Sequence, residues 1–312
     1  MRIAFLGTPD FAVPSLEALA DAGHEVACVV CQPDRPAGRG QALREPATKR
    51  WARERGLPVL QPEKVRDGRL AADLARLSPD LLAVAAYGRI LGKDLLELAP
   101  HGAVNVHGSL LPRYRGAAPI QWAVAQGERE TGVSIMQMDE GLDTGDVLLQ
   151  RVLPIAPEDT AETLSPRLAR LGGEALVEAL RLVERGEVVP VRQDASRATL
   201  APVLTREHGR IDWTLPAGRI RDRLRGFSPW PGAWTTLDGK VLKILAALAE
   251  EAAPARPEAR PGGAAKAPGL GIAVACGSGA LLVTEVQPEG KRRQGALEFV
   301  NGLRRDAFTL GT

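Results

Sequence analysis

Asn105 and His107 stand two residues apart in the stretch Gly102-Ala103-Val104-Asn105-Val106-His107-Gly108-Ser109-Leu110-Leu111-Pro112. Its first half sets Ala103, Val104 and Val106 around the amide and reads as a short buried strand, ended by Gly108 and Pro112. Side chains two apart on a strand share a face, so the carboxamide and the imidazole point the same way. Burying an amide without a partner costs about 1–3 kcal/mol, which makes the pair poor core material unless neighbouring backbone satisfies it. Side by side at a strand end, the two groups can instead aim N–H donors at one developing negative charge.

A second polar stretch follows at Met136-Gln137-Met138-Asp139-Glu140-Gly141-Leu142-Asp143-Thr144-Gly145-Asp146. It is a turn-rich acidic loop after an apolar run, expected to return to the same end of the sheet as Asn105 and His107. One of its four carboxylates is expected to meet His107, while turn and capping roles account for the others. The three cysteines and the serines have no evident base partner, which disfavours a covalent nucleophile. Cys28-Val29-Val30-Cys31 has redox-motif spacing but lies inside an expected strand, where residues three apart face opposite sides; buried structural thiols fit better.

The elements that must position these groups alternate. Apolar runs at 2–6, 25–31, 57–61, 80–86, 102–107 and 131–138 are separated by helical patterns near 14–22, 45–55, 66–77, 93–99 and 117–126. A further helix is expected from 160 to 185. Strands alternating with helices predict an α/β fold, a Rossmann-like parallel sheet covered on both faces, with ligands beyond the carboxyl ends of the strands. Gly7-Thr8-Pro9-Asp10-Phe11 lacks the glycine fingerprint of a dinucleotide site, and Pro9 removes an N–H that a pyrophosphate would need. Residues 32–44 read as a long loop whose Arg35, Arg39 and Arg44 can reach phosphates.

Length favours two domains: 312 residues are many for one core. The expected division is 1–186, a linker at 187–205, and a C-terminal domain at 206–312. There, short runs at 233–236, 240–246, 270–276 and 280–286 predict a small OB-like β-barrel. Residues 250–268, rich in Ala, Pro, Glu and Arg, read as a disordered insertion. From Arg206 onward there are 16 Lys/Arg against 11 Asp/Glu, an excess that fits contact with a polyanion. Arg219, Arg221, Arg223 and Arg225 fall on an expected helix there, equally suited to RNA backbone or to solvent. No apolar stretch is long enough to cross a bilayer, and the odd cysteine count points to a reducing interior, hence a cytoplasmic protein.

Several motifs resemble those of the methionyl-tRNA formyltransferases. They are Gly7-Thr8-Pro9-Asp10-Phe11, Gln32-Pro33-Asp34-Arg35-Pro36-Ala37-Gly38-Arg39-Gly40, the run from Asn105 through Leu110-Leu111-Pro112-Arg113-Tyr114-Arg115-Gly116-Ala117-Ala118-Pro119-Ile120-Gln121, and Gly141-Leu142-Asp143-Thr144-Gly145-Asp146. Ile211-Asp212-Trp213 and Trp230-Pro231 extend the resemblance to nearly the whole chain. It implies transfer of a formyl group from 10-formyltetrahydrofolate, as co-substrate, to the α-amino group of methionyl initiator tRNA; the reaction needs no metal, and a monomer is expected. Asn105, His107 and Asp143 match the catalytic trio; Ser109, Leu110, Leu111 and Pro112 match a folate-contacting segment. Arg39, with Arg35 in the same loop, matches a tRNA contact. Tyr114 departs from the indole of some members, and 250–268 is longer than usual. In this reading Asn105 and an imidazolium at His107 stabilise the oxyanion, and an acid beside the imidazole favours its charged form and relays the amine's proton. A formyltransferase acting on a sugar-nucleotide amine, a nicotinamide-dependent oxidoreductase and a non-catalytic RNA-binding module are the alternatives.

Overall fold

The computed structural model describes residues 1–37, 42–250, 260–303 and 305–311. The chain divides into two compact units, one of residues Met1–Pro119, Glu130–Pro154 and Leu164–Pro202, the other of Ile120–Arg129, Ile155–Thr163 and Val203–Thr312.

The first unit is built on strands β1 (Arg2–Gly7), β2 (Glu25–Val30), β5 (Val59–Leu60), β6 (Leu81–Ala85), β7 (Ala103–His107), β8 (Glu130–Gln137) and β9 (Val147–Pro154), beside a two-stranded hairpin, β3 (Arg35–Ala37) and β4 (Ala42–Arg44). The sheet order is β5-β2-β1-β6-β7-β8-β9. β6, Leu-Leu-Ala-Val-Ala, is buried throughout, as a central strand covered on both faces must be. Helices α1 (Val13–Asp21), α2 (Ala47–Glu54), α3 (Arg69–Ala75) and α4 (Lys93–Leu96) follow their strands in the expected alternation. Pairing is parallel from β5 to β7 and antiparallel for β7–β8 and β8–β9, so the all-parallel expectation ends at β7. β9 was not anticipated: Val147–Pro154 mixes buried and exposed positions with no clean alternation.

The 24-residue helix α6 (Ala161–Glu184, with α5, Pro119–Ala125, before it) approaches β7 and α1 through a glycine pair. A Cβ on Gly172 would lie 2.7 Å from Val106 Cγ1, and one on Gly173 would lie 2.6 Å from the Pro14 carbonyl. That close approach backs the strand segment between Asn105 and His107 with a rigid element.

The stretch expected as a linker is ordered. Val191 pairs with Val147, and the backbone of Thr199 and Ala201 bonds to Arg115 and Ala118 within the first unit. Within residues 32–44, expected as one loop, Arg35–Ala37 and Ala42–Arg44 instead pair as β3 and β4, with Arg35 opposite Arg44, while 38–41 lie outside the described residues. The hairpin base is tied down by Lys49 and Gln61 on the Asp34 carboxylate, which hold it below its usual pKa. Burial pushes the thiols of Cys28 and Cys31 up to about 11, so both are protonated core groups at neutral pH.

The second unit is a curled antiparallel sheet of the OB-like kind. Its strands are β10 (Ala233–Leu237), β11 (Lys240–Glu250), β12 (Gly263–Ala267), β13 (Gly271–Ala275), β14 (Ala280–Pro288), β15 (Gln294–Gly295) and β16 (Ala307–Thr309), joined by α7 (Ala217–Gly226) and α8 (Ala296–Gly302). The order is β10-β11-β14-β13-β12-β16, with β15 beside β14. Trp213, Ile220, Ile272, Leu281, Val283 and Val300 lie in its core, and the buried Trp213 indole donates to Thr235 Oγ1 at 3.1 Å. The expected insertion at 250–268 is corrected in its second half: Gly263–Ala267 is β12, paired with both β13 and β16. Its composition of Gly, Ala and Lys hides a strand whose order comes from two neighbours rather than from propensity. Residues 251–259 lie outside the described residues.

The arginines of α7 serve this unit itself. Arg219 donates to Gln126, Arg223 to the His208 carbonyl at 3.0 Å, and Arg225 to the Asp159 carbonyl and to Asp222, each at 2.8 Å. Arg221 lies 3.7 Å from Asp222.

Candidate active site

β7 delivers Asn105 and His107 on one face, and His107 is its last residue. The imidazole is buried, with Nε2 2.9 Å from the Tyr114 carbonyl oxygen. A carbonyl only accepts, so Nε2 carries the hydrogen and the ring is fixed with Nδ1 facing the other way. There Asp143 Oδ2 lies 3.7 Å from Nδ1. The same carboxylate oxygen accepts the Gly116 N–H at 2.7 Å. The Asn105 side chain is half-buried and has no hydrogen-bond partner among the described residues.

Asp143 reaches this position by an unexpected route. β8 runs antiparallel to β7, with Gln137 opposite Val104 and Ser134 opposite His107. The acidic loop therefore starts at the amino end of β7 and runs back to bring Asp143 to His107. Two local features make that return possible. Asp143 takes a left-handed backbone, φ +51°, which aspartate tolerates better than most residues. Gly145 passes so close to the Gln137 carbonyl that a Cβ would lie 1.8 Å from its oxygen. Asp139 shapes the turn, accepting from Thr144 Oγ1 at 2.7 Å and from the Gly141 N–H at 3.0 Å. Glu140 and Asp146 are exposed, so of the four carboxylates Asp143 is the one paired with His107.

The segment Ser109, Leu110, Leu111 and Pro112 leaves β7 as a turn whose Leu111–Pro112 bond is cis. It is anchored by a residue the sequence reading passed over. Ser134 Oγ accepts the Leu111 N–H at 3.0 Å and donates to the Ser109 carbonyl at 2.6 Å. Gln150 donates to the Leu111 carbonyl at 2.9 Å and to Ser134 Oγ at 2.8 Å. The available signal was a serine inside the apolar run Val133-Ser134-Ile135-Met136. Ser134→Ala leaves a buried N–H and a buried carbonyl short of partners. It should lower unfolding free energy by about 1–3 kcal/mol in urea titrations; an unchanged midpoint would show that the hub carries no load.

Gln193 and Arg115 were also missed. The buried Arg115 guanidinium donates through Nε and Nη2 to Gln193 Oε1, at 3.0 and 2.7 Å. Gln193 Nε2 donates to the carbonyls of Asp143 and Gly145, at 2.9 and 2.7 Å. A cleft of about 480 Å³ opens here, lined by Arg115, Met138, Asp139, Thr144, Arg192 and Gln193 among others.

Arg35 is exposed on β3, apart from the trio. It lines a cleft of about 310 Å³ with Thr8, Asp10, Arg44 and Arg50. Arg44 and Arg50 approach the Asp10 carboxylate at 3.7 and 3.6 Å, leaving the cleft polar and cation-rich. Arg39 lies outside the described residues.

A buried imidazole bonded to a backbone carbonyl, a carboxylate facing its other nitrogen and, on the same strand, a carboxamide with no partner among the described residues stand at the end of a Rossmann-like sheet. Residues 1–180 match the Formyl transferase family, and residues 203–304 match its C-terminal domain. A methionyl-tRNA formyltransferase of Anaeromyxobacter dehalogenans (strain 2CP-1) is 72% identical over 313 residues, covering 100% of both chains. That of Myxococcus xanthus (strain DK1622) is 53% identical, covering 96% of this chain and 95% of its own. The chain belongs to the methionyl-tRNA formyltransferase family, enzymes of translation initiation. A solved methionyl-tRNA formyltransferase from Clostridium thermocellum shares the fold, with a TM-score of 0.55 and 17% identity over 80% of this chain and 93% of that one.

Proposed function

We propose that this enzyme takes the formyl group of 10-formyltetrahydrofolate and places it on the α-amino group of methionyl initiator tRNA, with Asn105, His107 and Asp143 as its catalytic residues. The observation that carries the reading is the His107 ring, held at Nε2 by Tyr114 and faced at Nδ1 by Asp143, beside an Asn105 amide with no partner of its own. A half-buried amide left unpaired fits a ligand carbonyl better than it fits solvent.

The bound donor supplies an electrophilic formyl carbon; the rest falls to the chain. An α-amino group has a pKa near roughly 8, so a useful fraction is neutral at pH 7 and needs little activation. As it attacks, negative charge grows on the formyl oxygen. Asn105 Nδ2–H and Nδ1–H of the imidazolium form of His107, whose Nε2–H stays on the Tyr114 carbonyl, are the donors that hold it. Asp143 keeps the imidazole oriented and takes up the amine's proton, directly or through one water; as the carbonyl re-forms, the bond from the formyl carbon to N10 breaks and that proton passes to N10 of the departing tetrahydrofolate. Ser109, Leu110, Leu111 and Pro112, stiffened by Ser134, form the wall on which the folate rests. Formyl transfer is assigned to residues 1–186 and tRNA contact to the hairpin and to residues 206–312, in a cytoplasmic monomer. Among the described residues no helix is long and apolar enough to cross a membrane.

Arg35 and Arg39 are assigned to the tRNA backbone. Arg35→Ala should raise KM for methionyl-tRNA several-fold, leave KM for the folate unchanged and reduce the salt slope of tRNA binding by about one. An unchanged salt slope would remove the phosphate contact. The reaction itself is tested by incubating the protein with 10-formyltetrahydrofolate and either methionyl initiator tRNA or a sugar-nucleotide amine. Formyl-methionyl-tRNA as the sole product supports the reading; formylation of the sugar amine alone overturns it.

A further inference from the structure

We infer that Gln193 is a positioning residue that holds the Asp143 loop in its working conformation, an inference that rests on the role given to Asp143. The Gln193 carboxamide joins the two loops that frame His107. Its oxygen accepts from Nε and Nη2 of the buried Arg115 guanidinium, and its nitrogen donates to the carbonyls of Asp143 and Gly145. The amide orientation is unambiguous, because guanidinium only donates and carbonyls only accept. Among the described residues no carboxylate pairs with Arg115, so its partner within this bracket is the neutral amide.

The placement matters because Asp143 sits at φ +51°, a backbone state that a non-glycine residue keeps only when its surroundings impose it. The two Gln193 bonds fall on the carbonyl of that residue and on that of Gly145, two positions on. On the opposite side, the loop that supplies Tyr114 O to His107 and Gly116 N–H to Asp143 is pinned by the same segment. Tyr114 N–H donates to Thr199 Oγ1 at 2.8 Å, and Arg115 N–H donates to the Thr199 carbonyl at 2.8 Å. Residues 191–201 thus act as a strap across both catalytic loops, and Gln193 is the side chain through which it grips the acid.

The test is a cycle of full-length variants: Gln193→Ala, Gln193→Glu, Asp143→Asn and Gln193→Ala with Asp143→Asn. Gln193→Ala should lower kcat about ten-fold, the cost of a small misplacement of a catalytic group, while KM for either substrate stays near wild type and the melting temperature falls only modestly, since Arg115 and two carbonyls lose a partner. Gln193→Glu keeps an acceptor for Arg115 but has no N–H for the two carbonyls, and should lose kcat at least as much. Since Gln193 acts through Asp143, its removal in the Asp143→Asn background should change kcat by less than about two-fold. Equal losses in both backgrounds, or wild-type kcat in Gln193→Glu, would overturn the inference while leaving Asp143 catalytic. Wild-type kcat in Asp143→Asn alone would overturn the role of Asp143, and this inference with it.

Discussion

His107→Ala should lower kcat for formyl transfer by about 10²–10³, the usual effect of deleting one donor to a developing oxyanion. KM for methionyl-tRNA should stay within about two-fold, because the ring is buried at the end of β7 and the proposed RNA contacts lie on other elements. The substitution also leaves the Tyr114 carbonyl without its donor, at a cost of about 1–3 kcal/mol in stability. His107→Gln separates the two effects. A glutamine can donate to Tyr114 O but cannot present a second, charged N–H to the formyl oxygen, so it should restore the melting temperature and remain slow. Turnover near wild type in both variants would remove His107 from the mechanism.

Asp143→Asn is the second large effect, an expected loss of about 10²–10⁴ in kcat, the range for removing a proton acceptor from the transition state. Asparagine is the informative replacement. It has the same size, tolerates the left-handed backbone at φ +51°, and its oxygen can still accept the Gly116 N–H. What it lacks is the negative charge 3.7 Å from His107 Nδ1. Alanine would confound the result, since a left-handed backbone costs it about 1–2 kcal/mol and its short side chain frees Gly116. The melting temperature of Asp143→Asn should be close to wild type. A variant both stable and fully active would show that the carboxylate is structural.

What the sequence disclosed and what it concealed follow from the range of each signal. Asn105 and His107 were legible because strand periodicity is local: two polar residues two apart in an apolar run must share a face. β6 was legible as an unbroken apolar run, Leu-Leu-Ala-Val-Ala. The direction of β8 was not, because a run of apolar residues is the same read in either direction; the acidic loop is therefore expected at the His107 end of β7, whereas it starts at the other end and runs back. Ser134 could have been flagged as a hydroxyl in a buried strand. Gln193 could not: it stands in a stretch with no periodicity, and its partners, Arg115 and Asp143, are 78 and 50 residues away. Arg219 and Arg225 show the converse limit, since a charged helix face looks alike whether it meets RNA or the carbonyls of Gln126 and Asp159.

The central claim is geometric: one oxygen of the formyl donor lies between Asn105 and His107. A crystal structure of the wild-type enzyme with 10-formylfolic acid, a stable analogue that keeps the formyl group on N10, tests it directly. The account predicts the formyl oxygen within about 3.2 Å of both Asn105 Nδ2 and His107 Nδ1, with the Asp143 carboxylate beside the same carbon. A formyl group bound elsewhere, with Asn105 still unpaired, would contradict it.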